Sequence, residues 1–203
     1  MRGRFFLSLS AAVLSGCAGA PRAVTPASRP GAPSAARPAS PADVHFLSGM
    51  IAHHAQAVLM AGWAPTHGAG AAVRALCERI VVGQRDEIKA MQTWLADHGQ
   101  PVPSATDTRM HMSMGGMQHD MLMPGMLTDE QMAELDAARG AELDRLFLTY
   151  MIQHHEGALM MVDELLASHN AAQDNAIYKM ASDIWADQDS EIERMEKMLA
   201  ARP

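Results

Sequence analysis

The chain is poor in cysteine, in aromatic residues and in positive charge. Cysteine occurs only as Cys17 and Cys77, with no Cys-x-x-Cys pair and no Cys/His zinc spacing, so neither a disulfide framework nor a zinc finger organises the fold. Aromatic residues make up 4% of 203 residues, while hydrophobic residues of all kinds make up 48%, so one core of aliphatic and thioether side chains is expected. Lys and Arg number 16 against 23 Asp and Glu, a formal charge of -7, which excludes the basic footprint that nucleic acid requires. Catalytic templates are also missing. There is no Gly-x-Ser-x-Gly elbow and no phosphate-cradling glycine loop, and His155-Glu156 is followed by Leu159 where a zinc protease needs its second histidine. No nucleophile and base stand out, and the chain reads as a binding protein rather than an enzyme.

What the chain does have is methionine, 18 residues of it, and a patterned N-terminus. Met1 to Arg4 carries two arginines, and Phe5 to Leu14 is a short apolar run too brief to span a bilayer. Leu14-Ser15-Gly16-Cys17 has the form of a bacterial lipobox, so residues 1–16 read as a lipoprotein signal and Cys17 as the lipidated first residue of the mature chain. Residues 17–40 are Ala, Pro, Ser and Arg with almost no large apolar side chain, a tether that cannot offset the entropy of ordering. The expected location is the bacterial envelope, facing the periplasm. Ala18 after the anchor favours the outer membrane. Cys77, on a helical stripe with Val73, Ile80 and Gln84, reads as a buried packing residue.

An internal duplication organises residues 41–203. Asp43, Phe46, Met50, Ile51, His53, His54, Ala57 and Met60 recur 101 residues later as Asp144, Phe147, Met151, Ile152, His154, His155, Ala158 and Met161. Gln84, Glu87, Ile88 and Met91 recur as Gln188, Glu191, Ile192 and Met195, with three more residues in the second turn. Phe46, Met50, His53, Ala57 and Met60 step by four and three, the spacing of a core-facing helical stripe. Each copy is therefore a helical hairpin, 41–99 and 141–203, with helices predicted at 41–63, 71–98, 141–168 and 173–201. Ser40-Pro41-Ala42-Asp43 starts the first, and Thr128 to Gln131 forms a capping box for a short extra helix. The fold class is all-α, an antiparallel four-helix bundle made of two duplicated hairpins, joined by a crossover over 100–140 without a convincing strand.

Two constellations carry chemistry. His53-His54 and His154-His155 sit mid-helix, one turn after Met50 and Met151, so thioether and imidazole share a helix face. A 100° step between neighbours lets only one histidine of each pair point at the bundle axis. These histidines read either as metal ligands supported by Gln84, Glu87, Gln188 and Glu191, or as core groups whose ring nitrogens bond to Gln84 and Gln188. The second constellation is Met110, His111, Met112, Met114, Met117, His119, Met121, Met123 and Met126, interrupted by Gly115-Gly116 and Pro124, which defeat a regular helix. Thioethers are neutral, soft donors that select Cu(I) or Ag(I) and hold no proton. The same methionines could instead cover an apolar surface of the bundle.

FLSGMIAHHAQAVLM at 46–60 with Gln84 to Leu95, and LDRLFLTYMIQHHEGALMM at 143–161 with Gln188 to Met198, resemble the bacterial domain-of-unknown-function 305 (DUF305) family over about residues 42–201. The resemblance implies a ferritin-like fold, export in many members, and periplasmic copper binding and resistance in some. It implies His53, His54, His154 and His155, with Met50 and Met151, as the positions to carry over. The first copy departs from the family pattern: Ala52 replaces a common proline, and Ala55-Gln56-Ala57 replaces a glycine-containing turn. The expected function is a lipid-anchored protein binding Cu(I), with Ag(I) or Cu(II) as further cargo, for buffering, resistance or transfer to copper-carrying partners. Two other readings remain open: a ferritin-like oxidoreductase using Glu87 and Glu191 with the histidines, and a structural envelope protein without metal.

Overall fold

The computed structural model describes residues 39–114 and 116–201. The signal segment, Cys17 and the tether up to residue 38 lie outside the described residues. Helix α1 spans Pro41–Gly62 and α2 Ala71–Asp97. Strands β1 (Met110–Met114) and β2 (Met117–Met121) follow, then α3 (Asp129–Ala137), α4 (Gly140–Ala167) and α5 (Asn175–Ala200). The four long helices lie within about two residues of their expected bounds. The expected capping box forms at Thr128 with Gln131 on α3, and the expected N-cap Ser40 forms one as well, with Asp43 on α1, each satisfying two backbone N–H groups that the helix start leaves open. Asp174 rather than Gln173 marks the start of α5, because its carboxylate accepts from the Ala176 N–H. Among the described residues no helix is long and apolar enough to cross a membrane.

The crossover departs from expectation. Residues 110–121 form an antiparallel hairpin, with Met110 opposite Met121, Met112 opposite His119 and Met114 opposite Met117. Alternation of methionine with polar residues, on either side of Gly115-Gly116, is the sequence form of a two-residue hairpin turn, and Gly116 takes the positive φ of +83° that such a turn demands.

α1 packs on α2, α4 on α5, and α1 on α4 across the middle. The apolar interior is divided in two. One cluster joins Phe46, Met50 and Ile51 of α1 to Ile88, Met91 and Leu95 of α2, and to Met161, Val162 and Ile184 of the second hairpin. The other joins Met60, Leu76, Ile80, Phe147, Met151 and Met195. Cys77 is buried in the second cluster, where desolvation and then Asp144 push its thiol up to about 12. Its expected role as an inert packing residue is consistent with this placement.

Two buried carboxylates cross-brace the hairpins. Asp43 of α1 accepts from the Ala172 N–H in the turn before α5, at 2.7 Å. Its duplicate Asp144, on α4, accepts from the Gly70 N–H in the turn before α2, at 3.0 Å and 3.2 Å through its two oxygens. Each hairpin thus closes the turn of the other. A Cβ at Gly70 would lie 2.8 Å from the Asp144 carboxylate, so the close approach requires glycine.

The crossover is fixed to α1 and α4 by unlike devices at equivalent positions. Gln56 grips Leu127 through both main-chain groups, its amide donating to the carbonyl at 3.0 Å and its oxygen accepting from the N–H at 2.8 Å. Its duplicate is Gly157, where a Cβ would lie 2.0 Å from the Pro124 carbonyl oxygen. The departure of the first copy from a glycine-containing turn therefore has a physical reason: one copy grips the crossover and the other makes room for it.

Charge-assisted hydrogen bonds between buried partners are worth about 1.5–3 kcal/mol, so Asp43→Ala and Asp144→Ala are each expected to lower stability by that much in urea unfolding. Gly157→Ala is expected to displace residues 124–127 while leaving helix content unchanged. Protease cleavage confined to the crossover, with an unaltered circular dichroism spectrum, is the expected signature.

Candidate metal sites

Between the two apolar clusters lies a polar layer. His53, His54, His154 and His155 are fully buried, with Gln84 and Gln188 nearly so. The rings of His53 and His154 face each other across the α1–α4 contact, with centroids 3.8 Å apart. These are the two axis-facing histidines. Their neighbours turn outward to the second helix of their own hairpins, His54 Nε2 donating to Glu87 at 2.8 Å and His155 Nε2 donating to Glu191 at 2.7 Å. The alternative in which Gln84 and Gln188 satisfy the ring nitrogens is not what forms, since all four side-chain amide atoms of these glutamines lack a hydrogen-bond partner. A carboxylate accepts a short, strong bond from imidazole and takes the partner that an amide would otherwise have.

His53 Nε2 donates to the Pro124 carbonyl at 3.0 Å, whereas neither nitrogen of His154 makes a bond of comparable geometry, its one polar contact being a weak one with the His53 main chain. Burial, and then the neighbouring histidines, hold both His53 and His154 well below the ordinary imidazole value, so both are neutral. With Nε2 engaged in His53, His54 and His155, only Nδ1 is left on each ring, and all three Nδ1 atoms are buried without a partner. A ring fixed from behind by a carboxylate or a carbonyl, with its other nitrogen bare, is the form in which histidine ligates metals. Met50 and Met151 are wholly buried, in opposite apolar clusters. Among the described residues no three His, Cys, Asp or Glu side chains meet closely enough to hold an ion.

The hairpin separates the second constellation. Met110, Met112, Met117, His119 and Met121 alternate onto one face, since directly opposed residues share a face and successive ones do not. Met117 is 65% exposed and Met121 40%, and His119 is exposed beside them in register. Met112 is half-buried, and Met114 stands opposite Met117. Met110, Met123 and Met126, by contrast, are buried in the first apolar cluster, Met123 lying against Gly49. An ion wrapped by all seven methionines is thus not what the fold arranges: three of them pack. His111 is on the other face, bonded at 2.6 Å to both Asp120 and Asp107, which raise its pKa and engage both ring nitrogens. The sequence signal for this sorting is the period-two alternation about Gly115-Gly116, which assigns His119 to the methionine face and His111 to the acidic one.

Gln84, Glu87, Gln188 and Glu191, which the sequence singles out, line a common cavity in the gap between α2 and α5; the cavity itself and Asp187, which also lines it, were missed by sequence reasoning. Burial, followed by Glu87 and Glu191, raises the Asp187 pKa.

Residues 43–199 match the family described as Domain of unknown function (DUF305), and the chain belongs to that family. The structure is similar to that of a DUF305 protein from Streptomyces coelicolor (28% identity, TM-score 0.65, covering 78% of this chain and 92% of that one). It is also similar to a DUF305 fragment from Deinococcus radiodurans (27% identity, TM-score 0.66, 81% and 99%). CopM in its Cu(I)-bound form matches with 27% identity and a TM-score of 0.58, over 77% and 94% of the two chains, and CopM has also been solved with Cu(II) and with Ag bound. No curated protein matches the sequence.

His53 and His154 make stability depend on pH. In the unfolded chain each takes up a proton below about pH 6.5, whereas in the fold both stay neutral to well below that value. Stability is therefore expected to fall as the pH drops below about 6.5, by up to about 1.4 kcal/mol per pH unit for each histidine. His154 makes no well-formed hydrogen bond, only a weak contact with the His53 main chain, so His154→Leu is expected to gain about 1–3 kcal/mol at pH 7 in the metal-free protein and to show a shallower acid slope, both read from urea unfolding at pH 7 and pH 5.

Proposed function

We propose that this chain is an exported, lipid-anchored protein of the bacterial envelope, facing the periplasm, that binds Cu(I) and Ag(I) as cargo for buffering, resistance or transfer to another carrier. The carrying observation is the hairpin face on which Met112, Met117, His119 and Met121 come together, partly open to solvent, with Met114 opposite Met117 in register. Thioether and imidazole form a donor set suited to a soft monovalent ion, and they need no deprotonation of sulfur to bind it. An accessible site suits capture and release. The buried layer of His53, His54, His154 and His155, with bare Nδ1 atoms and carboxylate or carbonyl partners behind three of the rings, supports a second, enclosed holding site. The likeness to CopM, which has been solved with Cu(I), Cu(II) and Ag, supports copper and silver as the ions. Membrane attachment through Cys17 and a location in the outer membrane belong to the same proposal. No catalytic step is assigned.

The test is Ag(I) and Cu(I) titration of the mature chain under reducing, anaerobic conditions. Replacing Met112, Met117 and Met121 by Leu together with His119→Gln is expected to weaken binding at least 100-fold with little change in stability, because Met117, His119 and Met121 are exposed. Changing the packed Met110, Met123 and Met126 to Leu is expected to leave affinity unaltered. Equal affinity in the first variant and the wild type overturns the hairpin site.

A further inference from the structure

The gap between α2 and α5 is built differently from either sulfur-bearing site. It forms a half-open cavity of about 280 Å³. Gln84 and Glu87 enter it from α2, and their duplicates Gln188 and Glu191 enter from α5. Gln84 is 4% exposed and Gln188 2%, and none of their amide oxygens or nitrogens has a hydrogen-bond partner. Two buried carboxamides without a protein partner would cost about 1–3 kcal/mol for each unsatisfied group, so an occupant of the adjoining cavity that bonds to them would be stabilising. Glu87 and Glu191 each use one carboxylate oxygen to accept from His54 or His155. Those bonds hold the carboxylates in a set orientation. With Asp187 the lining carries three acids against two arginines, Arg79 and Arg194, so it favours a cation over an anion. It contains no sulfur and none of the hairpin residues.

We propose that this cavity is a binding site for an oxygen-preferring divalent cation, ligated by Glu87 and Glu191 and by the amide oxygens of Gln84 and Gln188, with water completing the shell. Carboxylate, carboxamide and water oxygens are the donors that hard divalent cations take. No three acidic or histidine side chains converge closely enough to enclose an ion by themselves, so the amide oxygens and retained water are needed to complete the set. Space is available for them: the cavity is many times larger than the roughly 10–15 Å³ that one water needs on the same measure. Gly83 forms part of the wall, and a Cβ placed there meets nothing within 4 Å, so the cavity reaches the α2 backbone. The soft-ion hairpin and this oxygen-lined cavity would then sort ions by donor chemistry within one chain.

The probe is Mn(II), added to the full chain after treatment with EDTA, with free Mn(II) followed by its six-line electron paramagnetic resonance signal. The expected result is one bound Mn(II) per chain, competed by Mg(II) or Ca(II). Glu87→Gln combined with Glu191→Gln is expected to weaken binding at least tenfold. Because those residues also hold His54 and His155, Gly83→Leu gives an independent reading: it replaces none of the polar groups, takes up space in the cavity from the wall, and is expected to weaken Mn(II) binding to a similar degree with helix content retained. The hairpin variant lacking Met112, Met117, His119 and Met121 is expected to bind Mn(II) as the wild type does. Failure of the wild type to retain Mn(II), or equal retention by the wild type and Gly83→Leu, overturns this site, and neither outcome bears on Ag(I) or Cu(I) binding at the hairpin.

Discussion

The meeting of His53 and His154 at the crossing of α1 and α4 is the constraint around which the bundle is arranged. Two uncharged imidazoles held 3.8 Å apart at full burial divide what would otherwise be a continuous apolar core. Every neighbouring element is placed to support or tolerate them. The crossover brings the Pro124 carbonyl to one ring, α2 and α5 bring Glu87 and Glu191 to the rings beside them, and Gln84 and Gln188 complete the layer. Apolar residues at these positions would pack with less penalty, since a buried polar group without a partner costs more than its absence. A layer so costly, kept in both halves of a duplicated chain, is what the proposed enclosed holding site would require.

The same layer shows how the two copies have diverged. His54 and His155 keep matching carboxylate partners, but His53 makes a well-formed main-chain hydrogen bond that His154 lacks. The difference follows from the crossover, a single segment that can lie over the bundle in only one direction. Gln56 holds it where Gly157 only admits it. A duplicated framework thus carries one asymmetric strap, and the two hairpins cannot be equivalent toward any ion in the layer.

Much of the fold was legible because it is periodic. The three- and four-residue spacing of Phe46, Met50, His53, Ala57 and Met60 announces a buried helical stripe, and its recurrence 101 residues later announces the second hairpin. Ser40 and Thr128 announce their helix starts through local chemistry. The site was legible only in part. Sequence identifies the histidine pairs and the glutamates behind them, but a 100° step does not decide which of two adjacent rings faces the axis; the packing of α1 on α4 decides it. Nor does it decide between Gln84 and Glu87 as the histidine partner, because both fall on the same face of α2. The hairpin was obscured because methionine has no strand preference of its own and the eye reads such a run as composition. Asp43 and Asp144 were visible as repeated positions, yet their partners lie in turns of the other hairpin, which no local pattern announces.

That exchange of carboxylates between hairpins has a consequence for how the chain can be divided. Each half carries, near the start of α1 or α4, a carboxylate that reaches into the other half, and in its own turn an N–H that the other half satisfies, so each hairpin leans on its partner. Two halves, even identical ones, would answer each other's need in the manner of subunits trading arms across a dyad. Within this single polypeptide the paired carboxylate bonds therefore have the reciprocal form of an interface between two like subunits.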